Sequence, residues 1–179
     1  LLMTGAGNLS VEQIATELEK VGAELTTEAE RDSATVSLRS LTQADWLNPA
    51  LAVMNQVLTR PSFPQADFER VRQQMLVALQ QQEQSPEDIA SKAWYQAVYG
   101  QHPYGSPPDG TKASVSALTL EEVRAFYHRY YVANNAIVII VGAVKRTQAE
   151  AMVEQVLQGL PAGVAAPPIP PVPPLTEAK

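Results

Sequence analysis

Hydrophobic and polar positions follow two different periods in the first forty residues of the chain. From Ser10 onward, apolar side chains recur every three or four positions, which predicts a helix. Ser10 and Gln13 have the spacing of a capping box at its start, and Gly22 is placed to end it in the left-handed conformation. The apolar stripe of this helix consists of Val11, Ile14, Ala15, Leu18 and Val21.

The period changes to two after Gly22, which indicates strands. Polar residues 30–33 separate two alternating segments and supply a turn, so an antiparallel pair with one water-exposed face is predicted. The positions expected on the inner face are Leu25, Thr27, Ala29, Ala34, Val36 and Leu38.

Three helices are predicted between residues 46 and 100. The first has Pro49 in or near its first turn, and the sequence around Pro61 and Pro64 ends it. The second spans 65–84. The third begins at Ser85, with Pro86 at its first position, and should run to residue 99 before Gly100 stops it.

The second half of the chain adds two more helices and a strand. Thr119 and Glu122 form another capping box, and Thr147 and Glu150 are expected to cap a last helix that reaches Leu160. Between these helices, residues 136–141 are a continuous β-branched run, typical of a strand buried on both faces. The pattern predicts an α+β fold, with a mixed or antiparallel sheet and helices packed mainly on one face.

Composition changes after residue 160. We predict one domain over 1–160 and a proline-rich linker over 161–179, extended as polyproline II and leading to a further domain. The start at Leu1 does not resemble a signal peptide, and we expect residues upstream of it to complete the first strand of the sheet.

A net charge of −6 without basic runs argues against nucleic-acid binding, and no apolar run is long enough to span a membrane. There is no cysteine.

Several local stretches, in this order, resemble the pitrilysin/insulinase-type zinc peptidases (the M16 or inverted-zincin family). They are the Leu-Ser-x-Glu-Gln-Ile start at 9–14 with the following Gly-Ala, Arg-Pro-Ser-Phe-Pro at 60–64, residues 67–72, His-Pro-Tyr-Gly at 102–105, and residues 131–142. The resemblance spans almost the whole predicted domain. It implies the two-layer α+β sandwich of the LuxS/M16 peptidases.

The resemblance also implies where zinc would bind. Active members carry His-x-x-Glu-His on a helix just before a Gly-Thr or Gly-Ala step, which Gly5-Ala6 resembles, so the motif would lie before Leu1. The third ligand would come from the long helix, and registering on Glu83, Ser85 and Pro86 places Ala78 there. A methyl group cannot ligate a metal. We therefore expect no catalytic residue, no metal ligand and no bound cofactor in this chain, although active relatives hold zinc; its substrate-binding residues stay unassigned.

Other candidates have simpler interpretations. Ala78 would be a small core residue on one face with Val71, Met75 and Gln82. Glu69 and Glu83, the nearby carboxylates, are interpreted as solvated helix residues. His102 is expected to support the Tyr104-Gly105 turn, with substrate contact as the alternative, and His128 to be half-exposed on a helix. The surrounding tyrosines are expected to serve packing.

Three functions are compatible with these features. The preferred hypothesis is a catalytically inactive M16-type domain that forms a substrate chamber with a zinc-bearing subunit, or within a homo-oligomer, and contacts peptide. The alternatives are an active zinc endopeptidase with its motif upstream of Leu1, and a structural scaffold subunit without a role in proteolysis. A periplasmic or envelope location is expected, with the cytoplasm as the alternative. The pair of strands from Leu25 to Leu38 is the candidate for peptide contact by strand addition.

Overall fold

Helices and short antiparallel strand pairs make up the computed structural model, which describes residues 1–172 and 174. This α+β content agrees with the prediction. The elements are β1 (Gly5–Ala6), β2 (Leu9–Ser10), α1 (Val11–Lys20), β3 (Glu24–Ala29), β4 (Ala34–Arg39), α2 (Ala44–Thr59), α3 (Gln65–Gln82), α4 (Pro86–Tyr99), a 3-10 turn (Pro103–Gly105), α5 (Lys112–Ala117), α6 (Leu120–Tyr130), a second 3-10 turn (Ala133–Asn135) and α7 (Arg146–Leu157).

The first helix and the hairpin form as the periodicity predicts. The Ser10 hydroxyl accepts from the Gln13 backbone N–H at 3.3 Å, and Gln13 Oε1 accepts from the Ser10 N–H at 2.9 Å. Gly22 has a φ of +59°, the left-handed conformation that closes a helix. In the β3–β4 ladder the predicted inner positions face one another as the pairs Leu25–Leu38, Thr27–Val36 and Ala29–Ala34. The hairpin register is therefore the one that gathers its apolar side chains on one face.

One hydrophobic core joins the hairpin to α1, α2, α3 and α6. Phe68, Ile14 and Val57 are its largest fully buried side chains. Its other members include Leu18, Leu25, Val53, Phe63, Leu120 and Tyr127. Helix α7 packs on α2, where Asn55 Nδ2 donates to the carbonyls of Val156 (2.9 Å) and Gln158 (2.8 Å) and so satisfies the C-terminal end of α7. Among the described residues, no helix is both long and apolar enough to cross a membrane.

Several predicted boundaries are wrong. Helix α3 ends at Gln82 rather than residue 84, whereas Pro49, the sixth residue of α2, lies near the first turn as predicted. Helix α7 begins at Arg146, because Gln148 Oε1 accepts from the Lys145 N–H and satisfies the first turn without Thr147 or Glu150 as cap. It also ends before Leu160. Helix α5 was not predicted, because six residues are too few to show a helical period.

The prediction of a buried strand at 136–141 is also wrong. The segment belongs to no strand, and Ile137, Ile139 and Val141 are 90%, 81% and 93% exposed. Its β-branched composition favours an extended backbone, but burial requires a neighbouring strand. Among the described residues, β3 and β4 pair only with each other, and no strand pairs with 136–141.

The start of α6 yields a pH-dependent prediction. Glu122 Oε2 accepts from the Thr119 N–H and hydroxyl, both at 2.8 Å. These bonds from the Thr119 backbone and side chain lower the pKa of Glu122 below 4.5, so the charged form is favoured in the folded state. Its contribution to stability is present above the unfolded pKa and is lost as pH falls through the folded pKa. The stability advantage of the parent over Glu122→Gln should therefore be largest near neutral pH and shrink in acid.

Urea unfolding of both proteins across the acid range measures this difference. Glu121→Gln is the matched control, because Glu121 lies on the same turn without either bond to Thr119. A parent-minus-variant difference for Glu122→Gln that stays constant from neutral pH into acid would contradict the prediction.

The proline-rich segment has no helix or strand over 161–172 and at 174, and its described residues are exposed. That it is a linker to a further domain stays a prediction. The remainder of the predicted linker, residue 173 and residues 175–179, lies outside the described residues.

Candidate functional site

The position expected to hold a zinc ligand lies on the exposed side of α3. The buried residues of this helix are Phe68 and Leu79, eleven positions apart and thus three turns along one face. Ala78 precedes Leu79, is rotated about 100° from that face, and is exposed. The expectation that Ala78 is a core residue is therefore wrong, while Val71 and Met75 are half-buried as α3 turns toward its neighbours.

The two carboxylates near position 78 are held by cations on neighbouring turns or helices. Glu69 pairs with Arg72 one turn along α3 and also accepts from Gln65 Nε2 at 2.9 Å. Glu83, the C-terminal capping residue of α3, pairs with Lys112 Nζ at 2.5 Å. The described part of the chain contains no group of three or more His, Cys, Asp or Glu side chains arranged to hold a metal ion.

His102 supports the loop after α4, as predicted. Its Nδ1 accepts from the backbone N–H of Tyr104 at 3.1 Å, which begins the 3-10 turn Pro103–Gly105. Only 7% of the residue is exposed, so substrate contact, the alternative interpretation, has little accessible surface. Gly105 is needed for a tertiary reason, because a Cβ there would lie 2.4 Å from the carbonyl oxygen of Gly100.

His128 and its neighbouring tyrosines have different roles on α6. His128 is exposed rather than half-exposed, and its ring makes a T-shaped contact with the ring of Tyr127. Tyr127 is buried, donates its hydroxyl to the Leu58 carbonyl at 2.8 Å, and packs edge-on against Phe63. Burial raises the pKa of Tyr127 and of Tyr131. These tyrosines serve packing, as expected.

A polar cluster that the sequence did not reveal joins the β3–β4 turn to the His102 loop. Arg31 Nη1 donates to the carbonyls of Tyr104 (2.9 Å) and Ser106 (2.7 Å), and its guanidinium carbon lies 4.0 Å from the centroid of the Tyr95 ring. The Tyr104 hydroxyl donates to Asp32 Oδ2 at 2.8 Å, and this bond raises the pKa of Tyr104. A charged tetrapeptide between two strands indicates only a solvated turn, so sequence patterns carry no signal for this contact.

The hairpin exposes strand edges at which an extended chain could add. Within the described residues, β3 bonds only to β4, so each strand has one edge without a ladder partner. A pocket of about 390 Å³ adjoins the turn of this hairpin and is lined by Glu30, Arg31, Asp32, Pro108 and Asp109, among others. Its mixed charge does not define a ligand.

Comparisons with known proteins agree with this architecture. A crystal structure from Pseudomonas fluorescens, described as a "peptidase M16 inactive domain", superposes with a TM-score of 0.91 and 36% identity, over 94% of this chain and 41% of that one. The Helicobacter pylori "Non-peptidase homolog YmxG" is 25% identical over 92% of this chain and 38% of its own length. The periplasmic protease PqqL from Escherichia coli shares the fold, with a TM-score of 0.79 and 22% identity, over 96% of this chain and 19% of that one. The chain thus spans less than half the length of these relatives.

The fold and these likenesses define an α+β domain of the metallopeptidase type. Residues 1–112 match the family model described as "Insulinase (Peptidase family M16)", and residues 117–179 match that described as "Peptidase M16 inactive domain". The chain belongs to the M16 peptidase family. The resemblance inferred from the sequence is confirmed, and the relatives support an M16-type domain of the inactive kind.

Proposed function

We propose that this domain is the non-catalytic part of an M16-type peptidase assembly, where it forms a substrate chamber with a zinc-bearing subunit. The observation that carries the proposal is the set of side chains that α3 presents at and near the expected ligand position. Ala78 presents a methyl group at the expected ligand position, and the two carboxylates considered as substitutes, Glu69 and Glu83, are paired with Arg72 and Lys112. Zinc in a catalytic site needs three protein ligands and an open position, so losing the third ligand weakens binding severely.

Peptide contact is the second part of the proposal. The free edges of β3 and β4 offer backbone donors and acceptors to an extended peptide, which binds by strand addition without needing a metal. The partner is expected to be a catalytic M16-type chain or a second copy of this protein.

Two alternative functions predict different experimental results. An active endopeptidase would have its His-x-x-Glu-His motif upstream of Leu1 and a substitute for Ala78 as third ligand. A scaffold subunit would assemble stably with other proteins and leave proteolysis unchanged. The name of the Helicobacter pylori relative, a non-peptidase homolog, favours the inactive hypotheses over the first alternative.

Zinc stoichiometry of the full-length protein, purified without chelator, is the deciding experiment. We expect a metal content near zero even after zinc is offered, and no peptide hydrolysis by the protein alone. About one tightly held zinc ion per chain would contradict the proposal, because it would mean that another side chain replaces the ligand missing at Ala78. If the metal content is near zero, adding the protein to its catalytic partner should raise the rate of peptide hydrolysis. A scaffold subunit would leave that rate unchanged.

We also propose that the protein acts in the periplasm or cell envelope. The likeness to a periplasmic protease supports this location by fold alone. Fractionation of cells that express the full-length protein tests it, since recovery in the cytoplasmic fraction would argue for the alternative compartment.

A further inference from the structure

Within the proline-rich segment, Pro170 contacts the body of the domain at His102. The imidazole Nε2 lies 2.8 Å from the carbonyl oxygen of Pro170. A neutral imidazole has one donor nitrogen and one acceptor nitrogen, and Nδ1 is already the acceptor of the Tyr104 N–H. The proton is therefore on Nε2, which donates to Pro170. A buried side chain with both nitrogens bonded thus connects the loop to the segment.

The surroundings of His102 suit an extended proline-rich chain. The rings of Tyr99 and Tyr104 lie 6.1 Å and 4.8 Å from the imidazole, centroid to centroid. Polyproline II has no internal hydrogen bonds, so its carbonyls are free acceptors, and proteins recognise it with aromatic-lined surfaces. Ile169 and Val172, beside the contact, are 42% and 44% exposed, whereas Val164 is 84% exposed. The segment is therefore partly covered near His102.

The chain is also attached upstream of this contact. The backbone N–H groups of Ala133 and Asn134 donate to the carbonyls of residues 161 (2.8 Å) and 162 (2.9 Å). The Asn134 side chain donates to the Gly163 carbonyl at 2.9 Å, and Asn135 Oδ1 accepts from the Ala166 N–H at 3.1 Å. The second 3-10 turn thus holds the chain up to residue 166, and His102 holds it again at Pro170.

We infer that the His102 loop, with Tyr99 and Tyr104, is a binding site for an extended proline-rich segment, and that residues 167–172 of the same chain occupy it. The bond to Pro170 adds a defined point of attachment to the bonds at 161–166. Residues 161–170 are consequently held along the domain at two places instead of sampling many directions.

The distance distribution between two spin labels tests this inference. The chain has no cysteine, so Gln73→Cys on the exposed face of α3 and Val172→Cys give two unique labelling sites. Electron double resonance should show a narrow distribution in the otherwise unaltered protein. In the same background, His102→Asn should broaden it roughly twofold, as for a released linker. Asparagine retains an acceptor for the Tyr104 N–H but is too short to reach Pro170.

Two further variants separate the contact from the fold. His128→Asn makes the same chemical change at the exposed histidine and should leave the distribution narrow. His102→Gln can place an amide N–H near the position of Nε2 and should restore the narrow distribution. A broad distribution without any His102 substitution, or an unchanged width in His102→Asn, would overturn the inference. Because His102 is buried, His102→Asn should also lower the unfolding midpoint, so the widths are compared under conditions in which circular dichroism shows both proteins to be fully folded.

Discussion

Replacing Phe68 by alanine should lower the free energy of unfolding by about 3–5 kcal/mol. Phe68 is 2% exposed and lies on α3, in the core that also contains Phe63 and Tyr127. The substitution removes a buried ring and leaves a cavity, and each effect is destabilising. Urea or thermal unfolding measures the loss directly.

Phe126→Ala is the matched control for this prediction. Phe126 lies on α6, is 56% exposed, and makes a ring contact with Tyr130. The same deletion at an exposed site should change stability by only about 0.5 kcal/mol. Equal losses for the two variants would mean that the buried face of α3 is assigned incorrectly. The placement of Ala78 on the exposed side would then fail as well, since both rest on the rotation of this helix.

The protein consisting of residues 1–179 should self-associate as its concentration rises. The double variant with Ile137→Lys and Ile139→Lys should be monomeric under the same conditions. Ile137, Ile139 and Val141 are exposed and lie in a segment without a strand partner in the described part of the chain. Exposed apolar segments with unpaired backbone groups are templates for intermolecular pairing, and lysine opposes such pairing by charge and hydration. Light scattering coupled to size-exclusion chromatography gives the mass of each protein.

Val164→Lys controls for the effect of added charge alone. Val164 is 84% exposed but lies in the proline-rich segment, which has no free strand edge to offer. The Val164→Lys substitution should therefore leave the self-association unchanged. If the doubly substituted protein associates as the parent does, residues 136–141 are not the contact, and another exposed apolar side chain, such as Trp94 at 56% exposure, should be tested next.

The candidate site shows how far local sequence signals reach. The interpretation of His102 as support for the Tyr104 turn needs only residues close in sequence, and the bond from the Tyr104 N–H confirms it. The bonds from Arg31 to the carbonyls of Tyr104 and Ser106 join residues more than seventy positions apart. No periodicity or motif encodes a pairing at that separation. The same is true of Pro170 at His102.

The α3 helix shows the same contrast between features that local sequence predicts and features that long-range packing decides. Its existence and start are predictable from Pro64 and the apolar repeat, and its family register places Ala78 at the ligand position. Its rotation is decided by the partners that cover Phe68 and Leu79. An alanine fits a core or a surface equally well in a helix, so its sequence pattern could not distinguish the two environments.

Local signals were enough to predict the capping boxes at Ser10 and Thr119, the hairpin register, the stop at Gly100, and membership of the M16 family through its ordered motifs. Capping bonds and alternation act over a few residues, so composition and spacing suffice. The three-dimensional structure was needed to see that Ala78 and residues 136–141 are exposed, that Arg31 meets Tyr95, and that the proline-rich segment is attached at His102. Burial and long-range contact depend on which surfaces meet, and neighbouring residues in sequence do not specify that.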